Sequence, residues 1–376
     1  MIYYLIAGER SGDLHGANLV RAIRQHDPDA RCRGYGGEQM EAAGAELVRH
    51  YRQMAFMGFL EVAKNLGTIR RIMRECQADL LAHRPDVLIL IDYAGFNLRM
   101  ARFAKKYGIR VFYYIAPKVW AWNPGRARTI KASVDRLFTI FPFETEFFAT
   151  YDYPVHYVGN PLLDALADFR PDPDFREKVE VDERPVVALL PGSRRQEITA
   201  MLPVMLAATK QFPGCQFVVG TVSNLPDALY DGFMGGYPAV RRVTDSAYDL
   251  LTVSTAALVT SGTATLETAL FNVPQVVCYK TARWYYEIGK RILTVPFLSL
   301  VNLIAGRSVV PELIHDCTPD RVAAELRMIL PNGENRDAQL AGYADVRHQL
   351  GEPGASERAG RTMVAELRTL KQLTPG

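Results

Sequence analysis

The chain has 376 residues, 48% of them apolar and 23% charged, which excludes disordered and collagen-like classes. At about 150 residues per domain this length gives two domains or one large one. The formal net charge of +3 falls short of the clustered basic footprint of a nucleic-acid binder, and leaves room for a local basic patch facing an anionic membrane.

In chain order, Ile2 to Ala7 reads as a strand that begins almost at once. It has no basic n-region or cleavage site ahead of it, so no signal peptide is expected and the chain reads as cytoplasmic. The turn Gly8-Glu9-Arg10-Ser11-Gly12-Asp13 follows. Its glycines permit a tight bend, Ser11 or Asp13 can cap the next helix, and Glu9 offers a carboxylate at the mouth of a sheet. The turn is neither GxGxxG nor GxxxxGKS/T, so a dinucleotide or P-loop reading is weak. Residues 54–74 place Phe59, Val62, Leu66, Ile69 and Met73 at helical spacing. This is either a core-facing amphipathic helix or an interfacial one, with Met54, Phe56, Met57 and Phe59 as apolar contacts and Arg70 and Arg71 beside them.

The run 86–91 is a continuously apolar strand ended by Asp92. A carboxylate at a strand's carboxyl end lies where general bases sit in α/β enzymes, or serves as a loop or cap hydrogen-bonder. The strand 110–115 leads into Ala116-Pro117-Lys118-Val119-Trp120-Ala121-Trp122, whose two indoles are core residues or a wall for sugar or lipid. After a strand at 136–141, the Pro- and Asp-rich stretch Asp168 to Asp174 divides a first domain, 1–165, from a second, 186–345. The strand 186–190 opens into Pro191-Gly192-Ser193-Arg194. Such a turn offers backbone N–H groups to an anion, and Arg194 adds a fork suited to phosphate. After strands at 216–220 and 256–259, Ser261-Gly262-Thr263-Ala264-Thr265-Leu266-Glu267 repeats that logic. Two such turns in one domain point to a nucleotide diphosphate, with Glu267 accepting from ribose hydroxyls or simply placed well near a helix N-terminus. A strand at 275–279 and helical stretches at 319–330, 335–349 and 355–372 close the chain, with 346–376 expected to pack back on the first domain.

Apolar strands alternating with helices argue for parallel sheets covered on both faces. Five scattered cysteines without a CxxC pair point to a reducing compartment rather than a disulfide framework. The seven histidines are dispersed, and Asp27-Pro28-Asp29 and Asp172-Pro173-Asp174 read as turns, so no metal is expected. No apolar run approaches the roughly 18 residues that span a bilayer.

In order and spacing these motifs resemble the lipid-A-disaccharide synthase family of inverting glycosyltransferases. The matching pieces are Ala7 to Asp13, Met57 to Val62, Pro85 to Asp92, Gly95-Phe96-Asn97, Val119 to Trp122, Pro142-Phe143-Glu144, Val158 to Leu162, Leu189 to Arg194, Ser261 to Glu267 and Asn302 to Gly306. The resemblance implies an α/β fold of GT-B architecture: two Rossmann-like parallel-sheet domains with an interdomain cleft, acceptor on the first and donor nucleotide on the second. It implies transfer of the sugar of UDP-2,3-diacylglucosamine to the 6-hydroxyl of 2,3-diacylglucosamine 1-phosphate, giving a β-1,6-linked disaccharide 1-phosphate and UDP, with no metal or cofactor. Asp92 then matches an essential aspartate and Arg194 an essential arginine, with Glu9 a second candidate carboxylate. Ser11, Asn97, Trp120, Trp122 and Asn302 are expected at substrate. Gly192, Ser193, Arg194, Ser261, Gly262, Thr263 and Glu267 are expected at UDP. Acylated substrates imply work at the cytoplasmic face of the inner membrane, which favours the interfacial reading of 54–74.

The chain departs from the family pattern at Ala94-Gly95, where many members have Pro-Asp. It also departs at Lys118 (often Ser), Asn160 (often His) and Val301 (usually Pro). Asn160 is neither acid nor base near neutral pH. The other readings are a UDP-sugar epimerase or a transferase for another lipid-linked acceptor, both of the same architecture, and a nucleotide-sugar-binding regulator without turnover.

Overall fold

Each continuously apolar run becomes a buried parallel strand. The computed structural model describes residues 1–54, 66–122, 125–279 and 296–372. The chain divides into two units: Met1–Asp168 together with Glu352–Gly376, and Phe169–Gly351.

The first unit holds Ile2–Ala7 (β1), Arg31–Gly36 (β2), Ala45–His50 (β3), Val87–Ile91 (β4), Arg110–Tyr114 (β5), Arg136–Thr139 (β6) and His156–Tyr157 (β7). They form one parallel sheet in the order β3-β2-β1-β4-β5-β6-β7. Successive side chains point to opposite faces. Tyr4, Ile6, Leu88 and Tyr113 therefore pack with Ile72, Cys76 and Leu80 of the helix Leu66–His83 and with the helix Ala94–Lys106. Tyr3, Leu5, Ile89 and Tyr114 pack on the other face with the helices Arg10–His26 and Ala355–Gln372. Burying each such side chain is worth about 1.5–3 kcal/mol, so the double-faced central strands fix the sheet. Two of the buried phenols have a carboxylate partner: Tyr3 donates to Asp27 (3.0 Å) and Tyr4 to Asp79 (2.8 Å).

The last helix is part of this first unit. Asp164 accepts from the backbone N–H groups of Gly354, Ala355 and Ser356 at 2.5, 3.0 and 3.0 Å. A side chain from another helix thereby satisfies donors that a helix start leaves open. Gly360 lies against Ala22, where a Cβ would come within 2.6 Å.

The second unit holds Val186–Leu190 (β8), Gln216–Thr221 (β9), Arg241–Thr244 (β10), Ala256–Thr260 (β11), Gln275–Cys278 (β12) and Glu312–Leu313 (β13). Its sheet is parallel, in the order β10-β9-β8-β11-β12-β13. Val187, Leu189, Leu258 and Val276 pack on the helices Arg195–Thr209 and Pro319–Ile329. Ala188, Leu190, Ala257 and Val259 pack with Leu250 and Leu251 of the helix Ala247–Val253.

Several expectations change. The boundary expected between 165 and 186 falls at Asp168, and 169–185 belongs to the second unit. Phe175 and Val179 are buried in the second unit's core around the short helix Phe175–Lys178, because apolar residues set among the Pro and Asp find that core. Residues 346–351 also stay with the second unit, where Leu350 is buried. Strands β2, β3 and β10 escape the sequence pattern because they lie at or next to a sheet edge. There, charged side chains such as Arg33, Glu46, Arg241 and Arg242 reach water or a partner.

In the segment expected at a membrane, Met54 is only 2% exposed and belongs to the core, so it is no lipid contact. Phe56, Met57 and Phe59 lie outside the described residues. The buried face of Leu66–His83 is Ile72, Cys76 and Leu80, with Met73 packed only partly beside it, and Arg70 and Arg71 are exposed. Among the described residues no helix is long and apolar enough to cross a membrane.

Candidate active-site residues

Parallel sheets of this kind bind ligands beyond the strand carboxyl ends where the strand order reverses. In the first unit that point lies between β1 and β4, and Ala7 is in register with Ile91. The next residues are Gly8 with Glu9 on one strand and Asp92 on the other. Gly8 is required by a close approach: a Cβ there would come 2.3 Å from the Tyr93 ring.

Asp92 and Tyr93 both have left-handed backbone, at φ 46° and 48°. Asn97 and Tyr113 hold the turn by donating to the Asp92 carbonyl at 2.8 and 2.5 Å. The Asp92 N–H donates to the Tyr114 carbonyl at 3.1 Å, and Tyr93 donates to the Met54 carbonyl at 2.6 Å. Burial pushes the Asp92 carboxyl above the usual carboxylate range, while Lys118 and the Tyr93 backbone pull it back. A carboxyl raised in this way holds its proton to higher pH than an ordinary carboxylate.

Asn97 itself is fully buried, and its amide also donates to the Ile91 carbonyl at 3.2 Å. Its NH₂ group braces the switch point. Trp120 is 4% exposed, with its ring edge-on to Phe141 and Phe143 and its indole N–H donating to Glu144 (3.1 Å). It therefore serves the core, and the expectation of a substrate contact is not kept for it. The side chain of Trp122 lies outside the described residues. Neither Ser11 nor Asp13 caps the helix Arg10–His26, whose N-cap is Glu9. Ser11 is exposed. Asp13 is buried and accepts from Gly37, Gln39 and Met40 at 2.7, 3.1 and 3.1 Å, capping the next helix, Glu38–Ala42.

Glu144 ends the Pro142-Phe143-Glu144 motif. It is buried beyond β6 and accepts from Trp120, Ile140 and Phe141 at 3.1, 3.1 and 3.0 Å. Burial pushes its carboxyl up to about 7, while the three N–H donors and Lys118 oppose the rise. Both oxygens accept, so Glu144→Gln turns an NH₂ toward a donor and should cost about 1–3 kcal/mol in urea unfolding. The raised value means the folded form holds more protons than the unfolded between about 4.5 and about 7. This group's contribution therefore falls as pH rises through that window, and the Gln variant should lack that part of the slope.

In the second unit the order reverses between β8 and β11, with Leu190 in register with Val259. Both small-residue turns stand at this point. Gly192 has φ +106°, and a Cβ on it would come 2.5 Å from a Glu197 carboxylate oxygen. The N–H groups of Ser193 and Arg194 donate to Glu197 at 3.1 and 3.2 Å, and the Arg194 guanidinium pairs with it at 2.9 Å. The donors expected for an anion are thus held by a carboxylate from their own helix. Across the switch point, Ser261 donates to the Leu298 carbonyl (3.1 Å), and Gly262 precedes the exposed Thr263 at the start of the helix Thr263–Leu270. Glu267 accepts from the Tyr248 hydroxyl at 3.1 Å, and burial pushes its carboxyl up while that bond lowers it.

Asn302 is fully buried and saturated. Its oxygen accepts from Val309 and Val310 at 2.7 and 2.9 Å, and its NH₂ donates to the Val310 carbonyl and to Glu312 at 2.9 and 2.8 Å. All four hydrogen-bonding capacities of the amide are used, so it shapes the loop after the helix Leu300–Ala305 and has nothing left for a substrate. Among the described residues no group of three or more His, Cys, Asp or Glu is arranged to hold a metal ion.

The fold is similar to that of UDP-GlcNAc 2-epimerase from Neisseria meningitidis, solved with UDP-GlcNAc, at TM-score 0.67 and 14% identity over 98% of this chain and 100% of that one. It is also similar to the glycotransferase of kitacinnamycin, at TM-score 0.64 and 13% identity over 97% and 98%. At these identities the likeness is one of fold. Closer in sequence are lipid-A-disaccharide synthases. That of Geobacter sulfurreducens is 40% identical, covering 94% of both chains. That of Syntrophus aciditrophicus is 42% identical over 94% of this chain and 95% of its own. That of Myxococcus xanthus is 39% identical over 99% and 97%. The family model described as lipid-A-disaccharide synthetase matches residues 3–364. With relatives this close aligned end to end, and both sheets carrying its motifs at their switch points, the chain belongs to the lipid-A-disaccharide synthase family.

Proposed function

We propose that this glycosyltransferase joins UDP-2,3-diacylglucosamine to 2,3-diacylglucosamine 1-phosphate. Asp92 takes the proton of the acceptor 6-hydroxyl, that oxygen attacks the donor anomeric carbon from the face opposite UDP, and the bond to UDP breaks. The product is a β-1,6-linked disaccharide 1-phosphate, and the leaving electron pair stays on the UDP diphosphate. Arg194, with the Gly192–Ser193 and Ser261–Thr263 turns, meets that charge, as oriented donors do most effectively where charge develops. Glu267, steadied by Tyr248, accepts from the ribose hydroxyls. Glu9, whose negative charge acts on Tyr93, holds an acceptor hydroxyl, and exposed Ser11 joins it. Asn97 and Asn302 act by positioning these loops.

The observation that carries this reading is the placement of Asp92: at the switch point, in a braced left-handed turn, with its carboxyl raised by burial. Product analysis with defined donor and acceptor tests it. A tetraacyl disaccharide 1-phosphate with UDP release is expected. UDP release independent of acceptor, or conversion of donor alone, would overturn it.

Acylated substrates place the reaction at the cytoplasmic face of the inner membrane. The exposed Arg70 and Arg71, with Phe56, Met57 and Phe59 preceding them, suit an anionic lipid surface. In liposome flotation, Met57→Ser with Phe59→Ser should lower membrane recovery, and recovery equal to wild type would count against this anchor.

A further inference from the structure

We propose that Tyr93 is a positioning residue for the transfer reaction: its side chain ties the turn that carries Asp92 to the segments that follow β1 and β3, and so holds that turn in place for the chemistry. This rests on the reading of Asp92 as the base.

Asp92 and Tyr93 are consecutive left-handed residues, at φ 46° and 48°. That region suits Gly, and Asp or Asn visits it because a short polar side chain can hydrogen-bond locally. A tyrosine has no such local compensation. Tyr93 is the N-cap of the helix Ala94–Lys106, yet its side chain makes no capping hydrogen bond. What holds its side chain comes instead from distant parts of the chain.

The ring lies against the backbone of Gly8, just after β1, where a Cβ would come 2.3–2.6 Å from three ring atoms. The hydroxyl donates to the Met54 carbonyl at 2.6 Å. Met54 follows β3, which stands three places from β4 in the order β3-β2-β1-β4. The receiving residue is itself fixed: Met54 is buried in the core, and its N–H donates to the Tyr51 carbonyl at 2.7 Å. The Tyr93 carbonyl in turn accepts from the Asn97 N–H at 3.1 Å. Tyr113 and Tyr114 brace the Asp92 backbone from the β5 side of the switch point. Tyr93 anchors the next residue to the β1 and β3 side.

A sparsely populated backbone conformation persists where its surroundings over-determine it, and such positions cluster at functional sites. A reacting group displaced by about 1 Å can lose about 10²-fold in rate. Tyr93 is only partly buried against the core, so its hydroxyl bond bears on the place of the Asp92 turn more than on the folding of the sheet.

The test is a kinetic cycle of wild type, Tyr93→Phe, Asp92→Asn and the double variant, read as acceptor-dependent UDP release, with a thermal melt to establish that each is folded at the assay temperature. Tyr93→Phe keeps the ring and removes only the hydroxyl bond. It should lower kcat by about three- to tenfold, the weight of one hydrogen bond, and leave the KM of both substrates unchanged. In the Asp92→Asn background the same change should leave the residual rate unaltered, because a residue that acts through Asp92 has nothing left to position. Undiminished kcat in Tyr93→Phe overturns the proposal. A raised acceptor KM at unchanged kcat makes the hydroxyl a substrate contact and equally overturns it. An equal loss in both backgrounds makes Tyr93 a support of the fold at large, which also overturns it. Undiminished turnover by Asp92→Asn alone defeats the base reading itself, and the Tyr93 proposal falls with it.

Discussion

Asp92→Asn should lower kcat by about 10²–10⁴-fold and leave the thermal midpoint at or above that of wild type. The two halves of this result come from one environment. Burial raises the carboxyl's pKa in the folded state, so the ionised form costs stability once pH exceeds the unfolded value, and the cost grows as pH rises to the folded value. A neutral amide of the same shape removes that cost. Asn also tolerates the left-handed backbone at φ 46°, and the bonds from Asn97 and Tyr113 and the one to the Tyr114 carbonyl all involve the residue's backbone. The variant therefore keeps its turn and loses only the proton acceptor. Acceptor-dependent UDP release and a thermal melt at pH 8 check the pair of outcomes. Turnover near wild type removes Asp92 from the chemistry. Lost activity with a lowered midpoint makes it a structural residue.

How much of this was legible in the sequence depends on where each residue's partners come from. The central strands were plain because both faces are covered, so the runs Tyr3–Ala7, Val87–Ile91 and Val186–Leu190 are apolar throughout. The edge strands Arg241–Thr244 and Ala45–His50 carry charges that mask their period. Asp92 stood out because a polar residue directly after an apolar strand lies at the end where such sheets bind ligands, and Arg194 because it closes the small-residue turn that follows another. Asn97, Trp120 and Asn302 have the chemistry of ligands but not the exposure. What saturates Asn302 is Val309, Val310 and Glu312, and no local pattern announces that pairing. Asp13 was expected to cap its own helix, and the segment it does cap lies about 25 residues on, brought near by β2. Glu144 lay inside a matched motif, and its bond to Trp120 emerges only when neighbouring strands set their loops side by side, whereas Glu197 meets Ser193 and Arg194 within its own turn.

Arg194→Ala should reduce kcat by about 10²–10³-fold and weaken UDP binding, and Arg194→Lys should not restore the loss. The guanidinium presents a planar fork to a diphosphate, and an ammonium offers only a point charge. In the structure that fork is engaged by Glu197, which also takes the Ser193 and Arg194 N–H groups. The Arg194 side chain is 64% exposed, so this pair is worth only about 0–1 kcal/mol. A diphosphate carries more charge than one carboxylate and can accept from the same N–H groups at a helix start, so it should displace Glu197 at small cost. The sign of a second variant then follows. Glu197→Gln removes the competing charge while keeping the side chain's size, and should tighten UDP binding by about two- to fivefold. Titration calorimetry with UDP decides between two roles for this carboxylate. Tighter binding makes Glu197 an occupant of the diphosphate cradle that yields to the donor, whereas weaker binding makes it the support that holds Arg194 in place for it.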